Sequence, residues 1–233
     1  SEKKCHVVEK LTKVNFMSYY NCIQVKRWSE YTGVKNFKLH LTMKGKATIS
    51  VYAIYSASVA VTYNPLVSQV VESDEVSEVV VNIPETDKAL VGFYMDTLED
   101  TEIYSGYYSA DIEEDRIRDV NISLVTTTFK KQEYIKRNID LIKSNVLYDG
   151  SDLKGHMFVH VIDNDRELDP SELDSEDLKV YMNNNVGGAG GFTRGMIEAL
   201  ELPKKPTHVL LMDDDVMVMP ESLFRTYYLL RLL

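Results

Sequence analysis

Cysteine is nearly absent: Cys5 and Cys22 are the only two in 233 residues. They are too few and too isolated for a disulfide framework or a thiolate zinc site, which fits a reducing compartment. Long apolar runs are also missing. No stretch approaches the roughly 20 residues that cross a bilayer, and the opening SEKKCHVVEK lacks the apolar core of a signal peptide. A cytoplasmic protein is therefore expected. Basic residues are outnumbered, with 26 Lys and Arg against 36 Asp and Glu, and none cluster densely enough to track a phosphate backbone, so nucleic acid is not expected as a partner. There is no Gly-Lys-Ser/Thr of a P-loop, no internal repeat and no low-complexity segment.

What is present falls into two grammars. From Asn36 to about Tyr108 run short, β-rich stretches, FKLHLTM, ATISVYAIYS, VAVTY, EVVVNI, ALVGFYM and IYSGYY. They are separated by Lys-Gly-Lys, Asn-Pro and Pro-Glu-Thr-Asp, with no convincing helix between them. This pattern predicts an antiparallel β-sandwich over residues 1–115. The charged connector DIEEDRIRD marks a boundary, and residues 116–233 then alternate strands with helices. Strands are expected at NISLVTTTF, HMFVHVI, LKVYM and HVLLM. Helices are expected through Ile135, Ile139, Ile142 and Val146, around Phe192 to Leu200, and from Glu221 onward. Such alternation predicts a mostly parallel α/β sheet covered on both faces. The last helix carries Leu223, Tyr227, Leu230 and Leu233 to the final residue without a cap, so a partner surface is expected from a longer chain or another subunit.

In an open parallel sheet, ligands bind at the carboxyl ends of the strands. Four such ends carry candidate residues. Thr126 to Lys131 offers hydroxyls, an aromatic face and cations, or simply a helix cap. Asp163-Asn164-Asp165 can accept hydrogen bonds from a base or ribose, or form an ordinary turn. The segment NNNVGGAGGFTRG has Gly187, Gly188, Gly190 and Gly191 before a helix, giving the backbone close approach to an anion, although it departs from G-x-G-x-x-G. Asp213, Asp214 and Asp215 directly end the strand HVLLM. Adjacent carboxylates repel unless a cation lies between them, and hard oxygens without nearby histidine or thiolate select Mg²⁺ or Mn²⁺. The five histidines show no mutual spacing that makes a site and are read as structural. Trp28 with Tyr19, Tyr20 and Tyr31 forms either aromatic core or a sugar-stacking surface.

Taken in order, T-T-F-K after the first α/β strand, Asp after the second, N-x-G-G-A-G-G-F-T-R-G and the D-D-D terminus resemble the nucleotide-sugar half of family 2 glycosyltransferases of the GT-A fold. The nearest resemblance is to bacterial galactofuranosyltransferases, in which a β-sandwich precedes a GT-A domain. It implies an inverting, metal-dependent transfer of a hexose from a UDP-sugar to a glycan or lipid-linked glycan acceptor, with UDP-galactofuranose the favoured donor. Thr127, Phe129 and Lys131 would line the uridine and its phosphates, with Lys131 standing where the family usually has arginine. Asp163 would face uracil or ribose; Asn185 and the turn at Gly188 would hold the donor, with Arg194 behind. Asp213 and Asp214 would lie on the donor side, and Asp213 and Asp215 would ligate Mn²⁺ or Mg²⁺. The resemblance places the general base and the acceptor pocket downstream of D-D-D, so this stretch is expected to bind a donor without catalysing transfer alone. Peripheral membrane docking and self-association are left open. The competing readings are a non-catalytic carbohydrate-binding or assembly module and a nucleotidyltransferase-like enzyme.

Overall fold

The computed structural model describes residues 4–57, 60–87 and 89–233, with side chains over 4–55, 60–87 and 89–233. Val59, within one expected strand, lies outside them. The chain divides into two compact units, Ser1–Ile117 and Arg118–Leu233. Among the described residues no helix is long and apolar enough to cross a membrane, and Cys5 and Cys22 are free thiols.

The first unit holds β1 (His6–Val8), β2 (Lys13–Asn15), α1 (Val25–Thr32), β3 (Lys35–Ala57), β4 (Ala60–Asn82), β5 (Leu90–Thr97) and β6 (Thr101–Asp111). The antiparallel pairing expected from sequence is present, but among the described residues no second, separate sheet completes a sandwich in this unit. All six strands join one sheet organised on β3. β4 pairs along one edge of β3, while β6 and then β5 share the other, and β1 and β2 extend β6 and β5. Two expected breaks turn out to be irregularities inside long strands. Gly45 sits at a register shift with φ 116°, where an added Cβ would lie 2.6 Å from the Asp100 carbonyl oxygen. Pro65 lies beside the second shift, on a strand whose only partner among the described residues is β3, so its missing N–H costs no ladder bond in a sheet interior. Alternate residues of β3, Leu39, Leu41, Met43, Ala47, Ile49 and Val51, point into the core with Val91, Phe93 and Met95. Helix α1 was not anticipated. Trp28 on it packs partly buried on this core, whereas Tyr19, Tyr20 and Tyr31 are exposed.

The second unit runs β7 (Ile122–Thr128), α2 (Gln132–Asn145), β8 (Met157–Asp163), α3 (Pro170–Leu173), β9 (Leu178–Met182), α4 (Gly187–Glu201), β10 (His208–Asp213) and α5 (Pro220–Leu232). Its sheet is wholly parallel, in the order β10-β7-β8-β9. On one face Ile122, Leu124, Val159, Val161, Leu178 and Val180 pack with Ile135, Ile139 and Ile142 of α2 and with Leu223 and Tyr227 of α5. Much of the surface expected to require an outside partner is thus met within the unit; Leu230 also packs here, while Leu233 stays exposed. Helix α4 lies on the opposite face. An added Cβ at Gly191 would fall 2.0 Å from Thr127 Oγ1, and one at Gly195 2.1 Å from Val125 Cγ1, so these glycines set how closely α4 approaches β7. β10 is not the fully buried strand expected. Leu210 and Met212 join the core, but Val209 and Leu211 are 40% and 48% exposed because α4 sits over β7 and β8. His160 is buried on the α4 side of β8, and burial pushes its pKa down to about 4, so it is neutral at pH 7 and structural as expected.

Replacing Gly195 with Ala is expected to destabilise the protein by about 1–3 kcal/mol, since the helix must lift off Val125. Gly188→Ala, with nothing within 4 Å of the new methyl, is expected to be neutral. Chemical denaturation of both variants checks the contrast, and equal stabilities would contradict the close-packing role.

Candidate functional site

In the second unit, chain order and sheet order diverge at one place. From β7 the chain steps outward through β8 and β9, then returns through α4 to place β10 on the other side of β7. The strand order therefore switches between β7 and β10, where an open α/β sheet forms a crevice beyond its carboxyl ends. Residues leaving β7 (Phe129 to Lys131) and β10 (Asp213 to Asp215) flank that point.

The acidic turn is fixed from beneath. Asn138, fully buried on α2, donates through Nδ2 to the backbone oxygens of Asp214 (3.2 Å) and Val216 (2.8 Å) and accepts from the Val218 amide at 3.4 Å. Asp213 and Asp215 are exposed and Asp214 is buried. Lys131 supplies the positive charge: its Nζ is 2.5 Å from Asp215 Oδ2 and 3.6 Å from Asp214 Oδ1. The hydrogen bond from Lys131 holds the Asp215 carboxyl below its ordinary range, and Asp215 in turn raises the Lys131 pKa. Among the described residues no three His, Cys, Asp or Glu side chains are grouped to hold a metal.

The loop after β8 departs from expectation. Asp163 is fully buried, accepting from the amides of Asp165 (3.2 Å) and Leu168 (2.8 Å), so it braces its own loop instead of facing a base. Burial opposes its ionisation, yet hydrogen bonds from Asp165 and the Leu168 amide prevail and hold its pKa low. The same contact with Asp163 raises Asp165. Asp165 Oδ2 accepts from Lys130 N (2.8 Å) and Gln132 Nε2 (2.7 Å), tying this loop to the β7–α2 turn, where Lys130 adopts φ 57°.

Asn164, in sequence only the middle of the Asp163-Asn164-Asp165 candidate run, is the hub of a polar network at the strand ends. Its Nδ2 donates to Thr127 Oγ1 (3.2 Å) and to the Gly187 carbonyl (3.4 Å), and its Oδ1 accepts from Asn183 Nδ2 (2.9 Å). The ends of β7, β8 and β9 and the start of α4 are thereby joined. The glycine run is the first part of α4, not a free turn ahead of it: the helix opens at Gly187 (φ 73°). Asn185 Oδ1 accepts from the Gly187 amide at 3.1 Å. Gly188 faces open space, whereas Gly191 abuts Thr127. Arg194 does not turn to the crevice but donates through Nε to Glu198 Oε1 at 2.6 Å. Phe129 is 41% exposed and carries the Lys130 ammonium 5.1 Å from its ring centre. The acidic turn and the glycine helix meet at Thr127, which is in register with Asp213 and touches Gly191. Thr127 and Lys131 are thus brought beside the acidic turn and Thr127 beside the glycine helix, while Asp163 and Arg194 have polar atoms engaged by neighbours. A separate cavity of about 530 Å³, lined by Val25, Ser29, Phe37 and Ile83 among others, lies in the first unit.

Residues 1–111 match the family model described as galactofuranosyltransferase 2 N-terminal. Over 226 residues, 92% of the chain, the sequence is 24% identical to galactofuranosyltransferase GlfT2 of Mycolicibacterium smegmatis. The chain is similar to GlfT2. Its similarity to GlfT2 spans both units, and the match covers 34% of that relative's length. Two solved structures give weaker likenesses. One comprises the CBM22-1-GH10 modules of Clostridium thermocellum xylanase 10B with xylohexaose, at 12% identity, covering 58% of this chain and 26% of that one, with a TM-score of 0.24. The other is a siderophore-interacting protein from Acinetobacter baumannii, at 8% identity, covering 76% and 77%, also with a TM-score of 0.24. At that score neither bears on the fold or on function.

Asn138→Leu is expected to destabilise the chain by about 1–3 kcal/mol, because one buried and one part-buried carbonyl lose their donor. Amide exchange at Val218 is expected to accelerate beyond the global change; unchanged exchange there would contradict the anchoring role.

Proposed function

We propose that the second unit is the donor-binding part of a glycosyltransferase that passes a hexose, with galactofuranose favoured, from a UDP-sugar to a glycan or lipid-linked glycan with inversion. One observation carries this reading: the acidic turn and the open end of the glycine helix border Thr127 at the switch point, in a chain similar to a galactofuranosyltransferase across both units. The chain order of the second unit is also that of a nucleotide-binding half-sheet, in keeping with a GT-A domain.

The donor set suits a cation of the expected kind. Hard carboxylate oxygens already accept a cationic ammonium here, and Mg²⁺ is commonly held by one or two carboxylates completed by substrate phosphates. Asp213 and Asp215 are the residues that would hold Mn²⁺ or Mg²⁺, which as a Lewis acid neutralises charge on a departing diphosphate. The remaining work falls to the protein's own groups. The exposed ring of Phe129 offers a face for a planar base. Gly188 leaves room for a diphosphate beside the α4 N-terminus, where helix amides beyond the Asn185-bonded Gly187 favour an anion. Lys131 lies at the N-terminus of α2 with a charge for the phosphates, while Asn164 and Asp163 keep the loops in place. None of the described residues is assigned as general base.

A second reading, glycan binding by the first unit, draws on Tyr19 and Tyr20, each 91% exposed with ring centres 5.2 Å apart. Calorimetry separates the two. UDP is expected to bind in the presence of Mn²⁺, and Asp213→Ala or Asp215→Ala to weaken it by tenfold or more, about 1.4 kcal/mol. Absence of UDP binding, or binding indifferent to both substitutions and to chelation, would overturn the donor-site reading.

A further inference from the structure

We propose that Lys131 is a built-in competitor for the cation at the acidic turn, and that a diphosphate relieves the competition by drawing the lysine away, so that cation and nucleotide load together. The second half rests on the donor-site reading; the first does not.

The geometry makes the competition direct. Lys131 Nζ is 2.5 Å from Asp215 Oδ2 and 3.6 Å from Asp214 Oδ1, so it occupies an oxygen that a divalent ion needs. Two positive charges cannot share that carboxylate closely without strong repulsion. The lysine is also able to leave. Its side chain is 41% exposed and that of Asp215 is 52% exposed, so the pair is in contact with water and held by one short contact instead of being walled in. The turn that carries the acids has less freedom. Asp214 has a side chain 12% exposed, and the backbone of the turn is pinned by Asn138 at two carbonyls. The mobile partner is therefore the ammonium and the fixed one the acidic turn.

Where the ammonium goes follows from its anchor. Lys131 immediately precedes α2 and holds the acidic turn, whose Asp213 is in register with Thr127, the residue that abuts Gly191 in the first turns of α4. A diphosphate lying between these elements gives the ammonium a new anionic partner and leaves Asp215 free for the divalent ion. Each ligand then raises the affinity for the other by the same factor, as thermodynamic linkage requires.

The test is Mn²⁺ binding by the full 233-residue chain, read from the electron paramagnetic resonance signal of free Mn²⁺, with and without UDP. K131M keeps the aliphatic stem and removes the charge. It is expected to bind Mn²⁺ alone about five-fold more tightly than the unsubstituted chain, the equilibrium weight of an exposed ion pair. The gain is expected to vanish in K131M/D215A and in K131R, which restores a cation. K131Q provides a second neutral variant, and circular dichroism checks that each folds. Mn²⁺ affinity unchanged or weakened in both K131M and K131Q would overturn the competition. UDP is expected to tighten Mn²⁺ binding in the unsubstituted chain and to do so by a smaller factor in K131M; an equal factor in both would overturn the relief step. Failure of UDP to bind under any condition would remove the donor-site reading and the relief step with it, while the UDP-free comparison still decides the competition.

Discussion

Consecutive carboxylates at the end of the edge strand β10 repel one another, and the second unit compensates that repulsion. The compensation has two parts with different stiffness. Asn138, buried in α2, grips the backbone of the turn and fixes where the acids stand. Lys131, at the N-terminus of the same helix, supplies the charge. A helix that packs its apolar stripe on one face of the sheet thus also delivers, from its polar positions, the anchor and the counter-charge for the loop of a neighbouring strand. An exposed pair of this sort adds little stability. Its consequence is electrostatic: it determines what else can bind there.

The opposite wall of the crevice depends on close approach. α4 meets β7 through Gly191 and Gly195, with no side chain between them, which brings the helix N-terminus to the strand ends. Asn164 then ties Thr127, Gly187 and Asn183 into one polar floor. Both sides are set by burial and hydrogen bonding inside the unit. That arrangement suits a site whose residues must be in place before a diphosphate arrives.

Regular periodicity made much of the architecture legible in the sequence. Alternation along Leu39 to Val51 and the 3.6-residue recurrence of Ile135, Ile139 and Ile142 marked a β-rich unit followed by an α/β unit, and the strand ends pointed to Lys131 and the acids. What was not legible has identifiable causes. Lys-Gly-Lys and Asn-Pro read as chain breaks, because a bulge at Gly45 and an edge position at Pro65 depend on partners far away in sequence. The glycine run read as a loop because glycine is a poor helix former; the four-residue spacing of Gly191 and Gly195 was the available sign of close helix packing. In Asp163-Asn164-Asp165, composition alone could not say which side chain would turn inward. Asn138 carried a usable sign, a polar residue at the core-facing register between Ile135 and Ile142, since such a residue is buried only with partners. Resemblance alone could not show that Asp163 and Arg194 have polar atoms engaged by neighbours in this chain.

The central claim is that the crevice between the ends of β7 and β10 receives a nucleoside diphosphate. Amide nitrogen–proton correlation spectra of the chain, recorded while UDP and Mg²⁺ are added, test it most directly. The account predicts saturable shifts concentrated at Phe129 to Lys131, Gly187 to Gly190 and Asp213 to Val216. Shifts confined to the first-unit cavity around Val25 and Phe37, or no shifts at all, would contradict it.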